Sequence, residues 1–199
     1  MPHTGNEIAM LIGNLGAADA AKRASAGTEI FERGRELAVA ATREWLSDEQ
    51  LRRCLVIGNS GFLEATVGLA VTPHRFENIR SASGSPPLAD VPPDQDAREF
   101  EIDFPGGVRL DILTTRQPEG AGAMARFLQK FGEGIQQVEL LTNNVDLATQ
   151  VLHTRFGVAP VFPATRPGTG GTRVNFFLVP LPKGEKILIE LVEAGTQHA

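Results

Sequence analysis

Apolar and polar positions change their spacing several times along the chain, and each change marks an expected element. Glu7 to Leu15 (E-I-A-M-L-I-G-N-L) is an apolar run closed by Gly and Asn and reads as a strand. From Ala17 to Arg53, residues Ile30, Phe31, Leu37, Val39, Trp45, Leu46 and Leu51 fall near helical spacing among Ala, Arg and Glu. Gly27 and Gly34 weaken that pattern and predict two helices or a break. Ser47 is the expected N-cap of a short helix that starts at Asp48. Leu55 to Val71 mixes apolar residues with glycines and predicts one or two strands. Arg80 to Asp96 holds four prolines among small polar residues and predicts a long surface loop, of the kind that forms lids.

Order returns at Arg98 to Phe104, where polar and apolar residues alternate as in a half-buried strand. Pro105-Gly106-Gly107 is a turn, and Val108 to Leu113 completes a hairpin. Ala121 to Phe131 predicts a helix and Gly134 to Leu141 a strand. Val145 to Phe156 is amphipathic, with Val145, Ala148, Val151, Leu152 and Phe156 on one side and Gly157 as its stop. After a Gly/Pro turn at Thr165 to Gly171, Thr172 to Val179 and Lys186 to Val192 form a second hairpin. The two halves therefore repeat. Glu7-Ile8-Ala9 corresponds to Gln137-Val138-Glu139, and the closing strands V-R-L-D-I-L and I-L-I-E-L-V carry a carboxylate at the same place, Asp111 and Glu190. The expected fold is α+β: two βαβββ modules over 1–120 and 121–199, the first with a helical insertion and loop 80–96, together one structural unit.

Composition narrows the chemistry. A net charge of −5 and a pI of about 5.4 give no basic face for nucleic acid. The single cysteine, Cys54, allows neither an intrachain disulfide nor a cysteine zinc site, and reads as a small buried residue. No apolar run approaches the roughly 20 residues of a membrane helix, and no signal peptide is visible at the start. A cytoplasmic protein with no membrane partner is expected. Gly168 to Gly171 lacks the Gly-Lys-Ser/Thr ending of a phosphate loop, and Gly132-Glu133-Gly134 precedes a strand, so no nucleotide cofactor is expected. There is no tyrosine, which leaves proton transfer to carboxylates. Glu190, set in an apolar strand, is costly to bury unless bound to something. Asp111 shares its face with Arg109, which offers it an ion pair. Glu139 shares a face with Gln137 and is a candidate base. Arg173 and Asn175 share one face of the strand before Glu190 and are candidates for binding a substrate carboxylate or carbonyl. Glu64 is a candidate acid/base, His74 a loop residue, and His153 lies on the exposed side of its helix.

The stretch Phe127 to Glu193, with F-L-Q-K-F-G-E-G-I-Q-Q-V, G-T-R-V-N-F-F-L-V and K-I-L-I-E-L-V-E, resembles methylmalonyl-CoA epimerase-like members of the vicinal oxygen chelate superfamily. The first half resembles it through N-E-I-A and V-R-L-D-I-L. The resemblance implies paired modules around a cleft, and a divalent ion held by the first and last strands of each. Carried over by position, the ligands are Glu7, Asp111, Gln137 and Glu190. Family members often carry His at the places of Glu7 and Gln137, and none of His3, His74, His153 and His198 falls on a matching position. Oxygen donors suit Mg²⁺, Mn²⁺ or Ca²⁺ over Zn²⁺ or Fe²⁺. The two-His set of non-haem iron oxygenases is missing. What the resemblance implies is an epimerase or isomerase that stabilises an enolate of a small carboxylated acyl thioester or keto/hydroxy acid, with Glu190 or Glu139 moving the proton. A glyoxalase-type lyase and a metal-free, drug-sequestering binding module are the alternatives. A small-molecule substrate and a homodimer are expected.

Overall fold

The computed structural model describes residues 3–58, 61–182 and 184–194, with side chains from Glu7 onward, so His198 lies outside the described residues. In chain order its elements are α1 (His3–Leu15), α2 (Ala20–Thr42), α3 (Glu49–Cys54), β1 (Ala65–Ala70), α4 (Pro73–Ala82), β2 (Ala97–Phe104), β3 (Val108–Thr115), α5 (Ala123–Phe131), β4 (Gly134–Thr142), α6 (Val145–Phe156), β5 (Arg166–Pro167), β6 (Arg173–Pro180) and β7 (Lys186–Glu193). The fold is α+β, and among the described residues no helix is long and apolar enough to cross a membrane. Two compact units emerge: Met1–Gly34 with Thr66–Gln136, and Arg35–Ala65 with Gln137–Ala199.

In the first unit the strands lie in the order β2-β3-β1, with β1 parallel and β2 antiparallel to β3. One face is largely apolar: Val67, Leu69, Phe100, Leu110 and Ile112 are all buried, with Thr114 and Arg98 at one end of it. α4 closes onto it through Phe76 and Ile79, and the Phe76 and Phe100 rings meet edge to face at 4.7 Å. α4 is a correction to the loop expected from Arg80 and at His74. Thr72 caps it by accepting from the Arg75 N–H, Pro73 opens it, and Phe76 and Ile79 share its buried side. Irregular chain is left only between Gly84 and Pro92, before a 3₁₀ turn over Pro93–Gln95.

The strand expected at Glu7–Leu15 is the helix α1, which buries Leu11, Ile12 and Leu15 and exposes Met10. A short apolar run fits either period, and here tertiary packing selects the helix. The break expected at Gly27 and Gly34 is absent, because α2 runs unbroken for 23 residues. Both glycines mark close approach. A Cβ on Gly34 would stand 2.4 Å from a Val67 methyl, and one on Gly27 would stand 2.4 Å from the Phe104 ring.

In the second unit the order is β4-β7-β6-β5, with β4 parallel to β7 and β7 antiparallel to β6. α6 packs its buried Val145, Ala148, Val151 and Leu152 against this sheet, where Phe177, Ile189 and Leu191 are also buried. Asn144 caps α6 through the Leu147 N–H, and Gly157 ends it in the left-handed conformation. The cap of α3 is Asp48 rather than Ser47: its carboxylate accepts from the Leu51 N–H at 2.9 Å, while the Arg155 guanidinium binds its other oxygen at 2.5 Å. These contacts hold the Asp48 carboxyl below its usual range, the Leu51 N–H first and Arg155 second.

Candidate active site

Each unit pairs its leading strand in parallel with its closing strand, and the two registers match. In the second unit Glu139 stands opposite Glu190, with Gln137 two residues before it. In the first unit Gly68 stands opposite Asp111, with Thr66 two residues before it. The repeat expected between Glu7 and Gln137 therefore runs between Thr66 and Gln137. Glu7 lies on α1, half-exposed, and pairs with Arg33 at 3.1 Å. Thr66 is buried in its place, a neutral hydroxyl where a ligand was expected.

The second unit gathers Gln137, Glu139 and Glu190 on one sheet face. Gln137 and Glu190 are buried, and Glu139 is half-buried. The Gln137 amide nitrogen donates to Glu190 Oε2 at 2.6 Å and to Glu139 Oε1 at 3.0 Å. One amide thus spends both hydrogens on two carboxylates that the register sets side by side. Phe176 stands directly opposite Glu190 on β6, its ring meets Phe162 at 5.8 Å, and the Arg166 guanidinium lies 4.3 Å over Phe162. This aromatic pair with its cation was not singled out in the sequence. The β6–β7 hairpin register is what places Phe176 opposite Glu190.

Arg173 and Asn175 are not brought to that face. They stand opposite Glu193 and Leu191, on the side that carries α6. Arg173 pairs with Asp146 at 2.5 Å and with Glu193 at 3.2 Å. The Thr165 hydroxyl first, and Arg173 second, hold the Asp146 carboxyl below its ordinary range. Asn175 is buried, and its amide lies 3.5 Å from the Thr149 hydroxyl of α6.

In the first unit Asp111 is buried, with Glu101 directly opposite it on β2. Burial pushes the Glu101 carboxyl up; Arg109, with its Nε 3.7 Å away, opposes the shift, and Asp103 adds to it. Arg109 reaches Glu101 and Asp103 across the hairpin. Glu101 was missed because R-E-F-E-I-D-F reads equally well as a solvated strand edge; its pairing with Asp111 becomes visible only with the hairpin register. Cys54 is buried as expected, and burial raises its thiol, with Asp48 adding to the shift.

Known structures are similar in fold. A methylmalonyl-CoA epimerase from Mycobacterium tuberculosis is 29% identical, covering 66% of this chain and 87% of its own, with a TM-score of 0.53. A Streptomyces coelicolor methylmalonyl-CoA epimerase variant in complex with 2-nitronate-propionyl-CoA is 26% identical, covering 66% of this chain and 93% of its own, with a TM-score of 0.51. A methylmalonyl-CoA epimerase in complex with methylmalonyl-CoA and NH4+ is 25% identical, covering 66% of this chain and 93% of its own, with a TM-score of 0.50. The fold is that of the vicinal oxygen chelate superfamily. No protein-family model and no curated protein sequence matches the chain.

Resemblance to the vicinal oxygen chelate superfamily implies a divalent ion on the leading and closing strands, and the donors present do not fit one. Gln137 turns toward both carboxylates a nitrogen that has no lone pair to give a metal. Thr66 offers only a neutral hydroxyl. Among the described residues, no group of three or more His, Cys, Asp or Glu side chains is placed to hold a metal ion.

Proposed function

We propose that this chain is an epimerase-type vicinal oxygen chelate enzyme that moves the proton α to the carbonyl of a carboxylated acyl thioester. The observation that carries this reading is the Glu139–Glu190 pair held by one Gln137 amide. A base for this reaction needs a carboxylate kept in place next to an apolar substrate surface. Glu190, buried and tied at 2.6 Å, is the fixed member. Glu139, half-buried, is the member nearer to solvent, and it exchanges the proton. Phe176 and Phe162 supply an apolar wall beside Glu190, and Arg166 brings positive charge for an anionic substrate group.

The similar epimerases support the substrate class. One is in complex with methylmalonyl-CoA and another with 2-nitronate-propionyl-CoA, and a nitronate has the planar, negatively charged shape of an enolate. The test is to follow a single epimer of methylmalonyl-CoA by circular dichroism in the presence of the purified chain. Decay to the racemate, slowed about 10²- to 10⁴-fold in Glu190→Gln, supports the reading. Tight binding without any decay would replace the enzyme by a binding module.

A further inference from the structure

We propose that the Gln137 side chain does the work of a metal ion in the second unit, so that the Glu139–Glu190 pair is assembled without a divalent cation. The inference rests on the reading of that pair given above. Two ionised carboxylates opposite each other on neighbouring parallel strands repel, and N–H donors or positive charge between them relieve that repulsion. A divalent ion is one way to supply this. Here the Gln137 amide stands at that place, 2.6 Å from one carboxylate and 3.0 Å from the other, and both of its hydrogens are used. For a cation to enter, the amide would have to give up two charge-assisted hydrogen bonds and turn its oxygen inward. The sequence shows the exchange from the other side: neither leading strand carries a histidine at the matched position, since Thr66 stands in one and Gln137 in the other. An imidazole at 137 would present a lone pair where the amide presents hydrogens.

The experiment measures Mn²⁺ binding to the full chain by equilibrium dialysis, without substrate, so its outcome does not depend on whether the chain turns over a thioester. The wild-type chain is expected to bind no stoichiometric Mn²⁺, and Gln137→His to bind it at least about 100-fold more tightly, the size of effect that even changes around a ligand have on metal affinity. If histidine unfolds the strand, Gln137→Glu, nearly the same shape with oxygen in place of nitrogen, gives the same readout. Stoichiometric Mn²⁺ on the wild-type chain that is lost in Glu190→Gln would overturn the proposal. So would equal binding, or equal lack of it, by wild type and a folded variant at 137.

Discussion

The Gln137 amide nitrogen reaches from β4 to β7 and donates to Glu190 Oε2 across 2.6 Å, while its second hydrogen goes to Glu139. Removing that amide leaves two carboxylates facing each other without the donor between them. Gln137→Met is therefore expected to cost about 1–3 kcal/mol at neutral pH. Urea unfolding at pH 7 measures it.

Glu101, its side chain 50% exposed, gives stability a weak pH dependence whose sign follows from its raised carboxyl. Its carboxyl is raised in the folded chain by burial, so between the ordinary and the raised value the native state holds more protons than the unfolded one. Stability from this group is full below the ordinary value and is lost as pH rises through the raised one. Glu101→Gln should remove that slope and make the chain more stable than wild type at pH 7, with little difference at pH 3. Thermal melts across the range provide the check.

Helix α2 lies against the first unit's sheet at its glycines. Gly34→Ala gains helix propensity of about 1 kcal/mol but drives a methyl to 2.4 Å from Val67. Overpacking at such a site costs about 1–3 kcal/mol. A net loss is expected, and Gly34→Ala combined with Val67→Ala should recover part of it. A double-mutant cycle by chemical denaturation reads the coupling.

Much of the fold was legible because several elements carry both a period and a stop. β2 alternates polar and apolar residues, β3, β6 and β7 are mainly apolar runs bounded by turns, and α6 has a cap at each end. The closing carboxylates Asp111 and Glu190 stood out as charges in apolar strands, and both are buried. What was hidden depends on packing. The run Glu7–Leu15 fits either period, and only tertiary contact makes it α1. As a strand, that run would take the place of the first leading strand, which in the structure is β1 and carries Thr66. Glycine at 27 and 34 looks the same in a broken helix as in a close contact. Arg173 and Asn175 do share a face, but strand alternation alone does not say that this face meets α6.

Gln136 Oε1 is buried without a hydrogen-bond partner among the described residues. An unsatisfied acceptor is costly, and an apolar side chain of similar shape avoids the cost. Gln136→Met should raise stability by about 1 kcal/mol, read as a shift in the urea midpoint at unchanged slope.

The central claim is that the carboxylate pair of the second unit moves an α-proton, and its most direct test is solvent exchange. Methylmalonyl-CoA incubated with the chain in D₂O should gain deuterium at the α-carbon, as read by mass spectrometry. Glu139→Gln and Glu190→Gln should each slow that gain by at least about 100-fold while the chain remains folded. Deuterium uptake no faster than in buffer, or uptake unchanged in both variants, would contradict the account.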